Sequence, residues 1–486
     1  GVLCLIGTGQ DVDELYKTEY ADYISPSPTS KSDIIPQLWK STNFGVTWKG
    51  ITKAVLKCVK DEDLGELTAF NKVALAPDDG DFIMVAVTTT GEGLRILISK
   101  DGGSRFYDSG DLTDAGTTFT TIIDKNVSKE VDDIRNIAIG GIGAAGEGLV
   151  YRIECISGLS RDWENATAYD GWDVAKTGAI NSLFVSTVKF APSWAVDKTV
   201  LVTSHTADAT YLQSGTWGTR DENKVWNTEA SFTEAVKIVD DPSTSGYGSA
   251  AATISLPSDY AGRHAADRYL WVHVNQVLGG GGVIYRVVDD AVEPIERQIP
   301  NNPLLASVSY FGSIDEGQAI AGLFGDGTAH NTACCEGVQV YRNDSIEGME
   351  ICCAAWKAAC KPPTGQLGAG VALASANFAI GIGAFGFGDY DEGAFQVSFD
   401  GGDNWQQVSM IDTSINYLSD VAQSPDCNVS YLASVNTEEG CGCDSVWMKD
   451  TELAAALYKD AWLRVFCKPL ESDFGLLRLA PEETKS

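Results

Sequence analysis

Residues 398–405 read Ser-Phe-Asp-Gly-Gly-Asp-Asn-Trp, and the same pattern recurs at three other places in this chain of 486 residues. Residues 99–106 read SKDGGSRF, residues 41–48 read STNFGVTW, and residues 219–226 carry a more divergent copy, TRDENKVW. Each copy has a hydroxyl side chain first, Asp or Asn third and an aromatic residue last. Recurrence of one short pattern along a chain indicates a structural repeat.

The residue types in the pattern are those of a tight turn. An Asp or Asn side chain at the third position can accept backbone N–H groups across the turn. A glycine at the fifth position can take a backbone conformation that other residues resist. The closing aromatic residue can pack into the gap between neighbouring sheets. The pattern therefore predicts a structural turn.

A second repeat, of predicted strands, surrounds these turns. A short apolar strand is followed by Pro and a polar turn at five places, and proline-free versions lie near Ala138, Gly312 and Ala374; the prolines are Pro77, Pro192, Pro257, Pro425 and Pro481. Further β-branched runs follow each such strand, separated by Gly, Asp and Ser turns, which is typical of antiparallel strands. A unit of about four short antiparallel strands that repeats along the chain predicts a β-propeller.

The predicted organisation is a single all-β propeller domain over residues 1–486. The repeat units are predicted at 71–113, 134–172, 182–229, 249–295, 304–365, 368–413 and 415–469. Residues 1–55 supply second, third and fourth strands, and residues 473–486 supply a first strand, so the two ends are predicted to share one closing blade. This gives eight four-stranded blades without an exposed sheet edge. Seven blades with one irregular unit is the alternative.

The four turn copies resemble the Asp-box, or BNR repeat, of sialidase-like β-propellers. The resemblance extends over repeats that span nearly all of the chain, and it implies that each copy is the hairpin between the third and fourth strands of a blade. The positions it implies as structural are Ser41, Asn43, Gly45, Trp48, Ser99, Asp101, Gly103, Phe106, Thr219, Asp221, Asn223, Trp226, Ser398, Asp400, Gly402 and Trp405.

The resemblance to sialidases also implies an arginine triad, a Tyr/Glu nucleophile pair, an acid/base Asp and an early Arg-Ile-Pro-like motif. The nearest match, ERQIP at residues 296–300, has an extra residue and lies past mid-chain. We therefore assign no catalytic residue and expect a non-catalytic, secreted or cell-surface structural or interaction module, such as a subunit of an extracellular assembly or surface layer. The alternatives are a secreted glycoside hydrolase of the same superfamily and a glycan-binding lectin.

The charge of the chain is strongly acidic. It has 35 basic and 67 acidic residues, a net charge of -32. Such a balance argues against nucleic acid and anionic membranes as partners. No apolar run is long enough for membrane insertion. The expected partners are other copies of the chain, other surface proteins or glycans. Three carboxylates in a Gly-rich loop are the best candidates for Ca²⁺ ligands, with a solvated turn as the alternative interpretation: Asp389, Asp391 and Glu392.

Twelve cysteines point to an oxidising compartment. Spacings typical of zinc sites are lacking, so disulfides are predicted among Cys4, Cys58, Cys155, Cys334, Cys335, Cys352, Cys353, Cys360, Cys427, Cys441, Cys443 and Cys467. Four glycosylation sequons agree with export, at Asn126, Asn165, Asn343 and Asn428. The chain begins at Gly1, which we interpret as the start of a mature product or of a fragment.

Six tryptophans outside the clear turn copies have two interpretations. They either pack between blades or form a sugar-stacking platform on one face. They are Trp163, Trp172, Trp194, Trp217, Trp356 and Trp447.

Overall fold

The computed structural model describes most of the chain. The described residues are 2–10, 14–30, 32–42, 48–114, 117–156, 159–160, 162–175, 178–218, 224–228, 232–240, 251–276, 281–294, 299, 303–323, 339–343, 356–363, 368–383, 395–409, 417–423, 429–435, 444–450 and 462–468. They form two compact units, residues 1–279 with 285–294, and residues 280–284 with 295–486. The prediction of one domain over the whole chain is not tested by this division.

The first unit begins with a three-stranded sheet and continues with three larger groups of strands, which are blades, and one small pair, which is not counted as a blade. The N-terminal sheet contains β1 (Leu3–Gln10), β2 (Ile34–Ser41) and β3 (Lys49–Gly50). The following strands are β4 (Leu67–Leu75), β5 (Ile83–Thr89), β6 (Gly93–Ser99) and β7 (Tyr107–Asp108); β8 (Thr113–Asp114), β9 (Thr117–Val127), β10 (Ile134–Gly143), β11 (Gly148–Ile156), β12 (Leu159–Ser160) and β13 (Glu164–Asn165); a small pair, β14 (Val174–Ala175) and β15 (Gly178–Ala179); and β16 (Phe184–Phe190), β17 (Thr199–His205), β18 (Thr210–Trp217), β19 (Lys224–Trp226) and β20 (Val236–Val239).

Four more groups of four strands complete the described chain. The first contains β21 (Ala252–Ser255), β22 (Tyr269–Asn275), β23 (Gly282–Val288) and β24 (Ala291–Pro294). The later groups are β25 (Leu305–Gly312), β26 (Gly317–Leu323), β27 (Val340–Asn343) and β28 (Lys357–Ala358); β29 (Ala369–Leu373), β30 (Ala379–Gly383), β31 (Phe395–Ser398) and β32 (Trp405–Ser409); and β33 (Tyr417–Gln423), β34 (Val429–Val435), β35 (Asp444–Asp450) and β36 (Leu463–Lys468). The last two groups are joined in one eight-stranded sheet, because β32 pairs with β36 at Gln407 and Arg464.

These seven groups, from β4 to β36, are the blades of a seven-bladed β-propeller. The predicted all-β propeller fold is confirmed, with the alternative of seven blades rather than the preferred eight. The N-terminal sheet is additional to them. Its predicted first strand, in residues 473–486, lies outside the described residues, so the shared closing blade stays a prediction.

In the first unit, apolar residues of neighbouring blades pack against each other. One core cluster joins Met84 and Ile96 of the first blade to Ile137 and Tyr151 of the second. Another joins the second blade to the third through Val150, Val188 and Trp217 among others. The third blade lies between the second and the fourth, so its strand β17 is buried on both faces, with every residue buried. Strands buried in this way consequently lack the alternation of apolar and polar residues that is seen in a sheet with one face in water.

The first strands of successive blades are neighbours in the first unit. Strand β4 contacts β9, β9 contacts β16, and β16 contacts β21. Strand β1 of the N-terminal sheet likewise contacts β4. The blades of this unit therefore follow one another in chain order, side by side.

Two predicted strand assignments are corrected. Residues 134–143 were expected to be the first strand of a unit, but they form the second strand, β10, which pairs with β9 on one side and β11 on the other. The fourth strand expected in VTWKGI, residues 46–51, is observed only as the two residues of β3, and helix α1 (Thr52–Asp61) follows it. Helix α1 forms because Thr52, Val55, Leu56 and Val59 fall on one face, which is buried in the core.

The other helix, α2 (Trp194–Asp197), is a single turn. No helix in the described ranges is long and apolar enough to cross a membrane.

Candidate functional site

The turn at residues 99–106 uses its polar groups internally. The Asp101 carboxylate accepts hydrogen bonds from the backbone N–H groups of Ser104, at 3.1 Å, and Arg105, at 2.9 Å. The Ser99 hydroxyl donates to Asp101 at 2.9 Å and accepts from the Gly103 N–H at 2.9 Å. Gly103 has φ +86°, a conformation in which glycine is favoured. The turn closes on Phe106, which is buried.

The turn at residues 398–405 has the same hydrogen bonds. Asp400 accepts from the backbone N–H groups of Asp403, at 3.1 Å, and Asn404, at 2.9 Å. Ser398 donates to Asp400 and accepts from the Gly402 N–H, and Trp405 is fully buried. Two turns 299 residues apart in sequence number therefore share one geometry. With their acceptors used internally, they serve the fold and offer little to a ligand.

The other two copies are described only in part. Ser41 is buried at the end of β2 and Trp48 is half-buried, whereas Asn43 and Gly45 lie outside the described residues. In the divergent copy Trp226 is fully buried. Thr219, Asp221 and Asn223 lie outside the described residues.

The six tryptophans do not form a sugar-stacking platform. Five are buried to more than nine-tenths: Trp163, Trp194, Trp217, Trp356 and Trp447. Trp172 is half-buried and packs edge-on against Trp226, with ring centroids 4.8 Å apart. Their positions agree with the packing interpretation.

The disulfide prediction is corrected for four cysteines. Cys4, Cys58, Cys155 and Cys360 are free thiols. Burial raises the pKa of Cys58 to about 12 and the pKa values of Cys4 and Cys155 to about 11. Cys58 and Cys155 thus act as small apolar core residues. The side chains of the other eight, Cys334, Cys335, Cys352, Cys353, Cys427, Cys441, Cys443 and Cys467, lie outside the described part.

The predicted glycosylation sites and calcium ligands differ in their burial and in whether the structure describes them. Asn165 and Asn343 are buried, which disfavours a glycan there, while Asn126 is half-buried in β9. Asn428 and the predicted calcium ligands Asp389, Asp391 and Glu392 lie outside the described residues. Within the described ranges, no group of three or more His, Cys, Asp or Glu side chains could hold a metal ion.

A buried serine and histidine pair in the third blade is the first arrangement with catalytic residue types. Ser186 Oγ lies 2.7 Å from His205 Nε2, and His205 Nδ1 lies 3.0 Å from Thr210 Oγ1. All three side chains have no exposed surface. Burial lowers the pKa of His205 to about 3. A substrate cannot reach this pair, so it is a hydrogen-bonded part of the core.

A tyrosine and glutamate pair lies beside a buried arginine. The Tyr169 hydroxyl donates a short hydrogen bond to Glu164, whose carboxylate is also 2.9 Å from Lys224 Nζ and 3.3 Å from Arg152 Nε. Burial raises the pKa of Tyr169, against the opposing charge of Arg152. A tyrosine nucleophile needs the opposite shift, because it must lose its proton to attack. The pair therefore joins the second and third blades as an ion-pair network.

A different kind of cluster lies on the first strands of the first unit. The Asp124 carboxylate accepts from the Val188 N–H at 2.9 Å, and the Asn126 side-chain oxygen accepts from the Phe190 N–H at 3.4 Å. Both side chains therefore face β16. Successive strand residues point to opposite faces, so Lys125 between them faces the other neighbour, β4.

Lys72 lies on β4, the strand that contacts β9. Burial, with repulsion from Lys125, lowers the pKa of Lys72. Burial also lowers the pKa of Lys125, and repulsion from Lys189 on β16 adds to this against the attraction of Asp124. We refer to Lys72, Lys125 and Asp124 as the lysine seam. Sequence reasoning missed it because residues 117–127 were not recognised as a strand.

Comparisons with known proteins give the following likenesses. No family model matches the chain, and no curated protein matches it. Among solved structures it is similar to an ancestral GH74 enzyme, with 14% identity, a TM-score of 0.40, and coverage of 88% of this chain and 59% of that chain. A lectin from Burkholderia pseudomallei has 12% identity, a TM-score of 0.37, and coverage of 82% and 100%. A mutant Trypanosoma rangeli sialidase displaying trans-sialidase activity has 10% identity, a TM-score of 0.39, and coverage of 69% and 54%. The chain thus spans less than two thirds of the GH74 enzyme and of the sialidase.

Proposed function

We propose that this protein is a secreted or cell-surface β-propeller that acts as a non-catalytic interaction module. The observation that carries the proposal is the burial of the two arrangements of catalytic residue types found among the described residues. The Ser186–His205 pair is wholly buried, and burial of Tyr169 favours the protonated phenol. Neither can act on a substrate in solution.

The candidate site has a composition that suits binding better than hydrolysis. Most glycoside hydrolases need two carboxyl groups on opposite sides of the scissile bond. Among the described residues, the lysine seam has two ammonium groups and the single carboxylate of Asp124. Such a site attracts negative charge and has no carboxyl pair to serve as acid and nucleophile.

The extracellular location rests on sequence. The even cysteine count and the clusters 334–360 and 427–467 support it, and the four free thiols add nothing to it. Partners of the same acidic character would repel one another, so assembly of copies needs bridging cations such as Ca²⁺ or an apolar contact. Other surface proteins and glycans are the further partner classes of this proposal.

Hydrolysis is the outcome that separates this proposal from a glycoside hydrolase. The protein is incubated with a panel of neutral and acidic oligosaccharides, and new reducing ends are measured. We expect none. The variants Tyr169→Phe and Ser186→Ala locate any activity that appears. Turnover that falls in either variant would replace the module with an enzyme, and turnover unaffected by both would do so with a site elsewhere.

A further inference from the structure

A network of hydrogen bonds crosses the contact between the third and fourth blades. On β16 of the third blade, the hydroxyl groups of Ser186 and Thr187 donate to the carbonyl oxygen of Ala252 on β21 of the fourth blade. His205 Nε2 lies 2.7 Å from Ser186 Oγ. At most 1% of the surface of each of these four residues is exposed. The contact therefore includes a histidine ring that water does not reach.

A second buried histidine lies on the fourth-blade side of the same contact. Thr253 follows Ala252 on β21, and its Oγ1 lies 3.3 Å from His273 Nδ1. His273 Nε2 is 3.1 Å from Asn275 Oδ1, and the His273 side chain is 1% exposed. We refer to this contact, with one buried imidazole in each blade, as the histidine interface.

Both imidazoles are neutral in the closed interface. Burial lowers the pKa of His205 to about 3, and burial lowers the pKa of His273 to about 4 against the hydrogen bond to Asn275. Among the described residues, no charge offsets the burial of either ring. A proton on either ring would thus be a buried, uncompensated charge. The titratable side chains on the strands around the two rings are Lys189 of β16, Tyr211 of β18, Tyr269 of β22, Tyr285 and Arg286 of β23, and Asp124, which reaches β16 from the second blade.

Mild acid acts on the histidines and spares the carboxylates that join the other blades. Against burial, hydrogen bonds and opposite charges lower the pKa values of Asp78 and Glu164 below their usual 3.8 and 4.5. Both carboxylates therefore stay ionised between about pH 7 and about pH 5. Of the two other histidines in the chain, His264 is exposed and His330 lies outside the described residues.

We propose that the histidine interface is an acid-operated opening, at which protonation of His205 and His273 admits water and separates the third and fourth blades while the rest of the first unit stays folded. An imidazole that reaches water regains its ordinary pKa of 6.5. By linkage, each ring exposed on opening raises the open population about 25-fold between about pH 7 and about pH 5. Opening of the other contacts in the unit exposes neither ring. The inference goes beyond the proposed function and does not depend on it.

Backbone amides that bond across three successive blade contacts can report the opening. Hydrogen exchange of the full chain is measured by mass spectrometry at pH 7 and pH 5, and each rate is divided by that of a freely exposed amide at the same pH. Protection of Gly262 should fall about 25-fold if one ring is exposed and about 600-fold if both are. The other two amides should change less than about threefold. The bonds are Gly262 N–H to Asp197 between the third and fourth blades, at 2.9 Å, Val188 N–H to Asp124 between the second and third, at 2.9 Å, and Glu130 N–H to Asp78 between the first and second, at 3.0 Å.

Two outcomes in the parent protein would overturn the inference. An equal loss of protection at all three amides would mean that acid unfolds the whole unit. Unchanged protection of Gly262 would mean that the histidine interface stays closed. Protection that falls at Gly262 alone and returns when the pH is restored to 7 would support the opening.

Histidine variants assign the response to the two rings. His205→Gln and His273→Gln should each reduce the fall at Gly262 by about 25-fold if both rings are exposed, and the double variant should be protected equally at both pH values. His264→Gln, at an exposed position two residues from Gly262, is the control and should respond like the parent. A fall that persists in the double variant would overturn the inference. If a variant does not fold, the three amides of the parent still distinguish one open interface from unfolding of the unit.

Discussion

Acid should destabilise this protein through a buried histidine. His205 has a pKa near 3 in the folded chain, because burial disfavours its charged form, against 6.5 in the unfolded chain. Between these values the unfolded chain binds one more proton than the folded chain. The free energy of unfolding therefore falls as the pH drops below 6.5, and the loss is complete near pH 3.

The size of the effect follows from linkage. Lowering the pH from about 7 to about 5 protonates His205 in nearly all unfolded molecules, which costs about 2 kcal/mol of unfolding free energy. This figure barely changes if the folded pKa is one unit higher. Burial lowers the pKa of His273 to about 4, so His273 should add a similar loss.

Urea denaturation at the two pH values measures the effect. His205→Gln removes the titrating group, so its loss of stability between pH 7 and pH 5 should be smaller than the parent's by about 2 kcal/mol. His264→Gln, at an exposed position, is the control and should behave like the parent. An equal loss in His205→Gln and the parent would refute the buried, neutral histidine. If His205→Gln does not fold, the ring resonances of the parent serve instead, and titration of His205 near pH 6 would refute it.

Three other predictions concern the turns, a close backbone approach and the thiols. Asp101→Ala and Asp400→Ala each leave two backbone N–H groups without their acceptor and should lower the free energy of unfolding by about 1–3 kcal/mol. Asp208→Ala, at an exposed position, is the control and should change the free energy of unfolding little. Equal melting temperatures of all three variants would contradict the turn geometry. Gly171→Ala should lower the melting temperature markedly, because Gly171 has φ +86° and its new Cβ would lie 2.0 Å from the Trp226 carbonyl oxygen. Gly146→Ala has a similar φ but open space around its Cβ, so it should lower the melting temperature less. The reverse order would contradict this packing. In the native protein, a thiol reagent near neutral pH should label the exposed Cys360 and leave Cys58 and Cys155 unlabelled until the protein is denatured. Recovery of Cys58 or Cys155 in a disulfide by peptide mapping would refute their assignment as core thiols.

The strand repeat was largely predictable from sequence, for a physical reason. Strands such as β5 and β17 are almost wholly buried and contain apolar runs, IMVAV in β5 and VLV in β17. The turns at 99–106 and 398–405 need particular residue types to close, so their pattern is visible as letters. These two signals were sufficient for the propeller fold.

Strand β9, the first strand of its blade, was not predicted because its sequence is polar, and the candidate site on it was missed for the same reason. Its sequence, TTFTTIIDKNV, includes Asp124 and Lys125 where an apolar strand was sought, so the apolar strand β10 was taken as the first of its unit. Lys72 and Lys125 are 53 positions apart and lie on strands of different blades. Strands β4 and β9 become neighbours only through the packing of the blades, which no local pattern encodes.

The helix and the thiols were missed for a related reason. Helix α1 follows β3 without a proline or glycine signal after Gly50, and no helix was predicted there. Cys58 and Cys155 have the sequence chemistry of disulfide partners, but their burial in separate core clusters makes them apolar filling.

Sedimentation velocity of the purified chain, over rising concentration with Ca²⁺ or with a chelator, tests the proposed module most directly. At a net charge of -32, copies repel unless cations or apolar contacts join them. We predict reversible association that strengthens with Ca²⁺ and weakens with the chelator. A single monomeric species under every condition, from a preparation that also hydrolyses an oligosaccharide, would contradict the interaction module and favour a glycoside hydrolase.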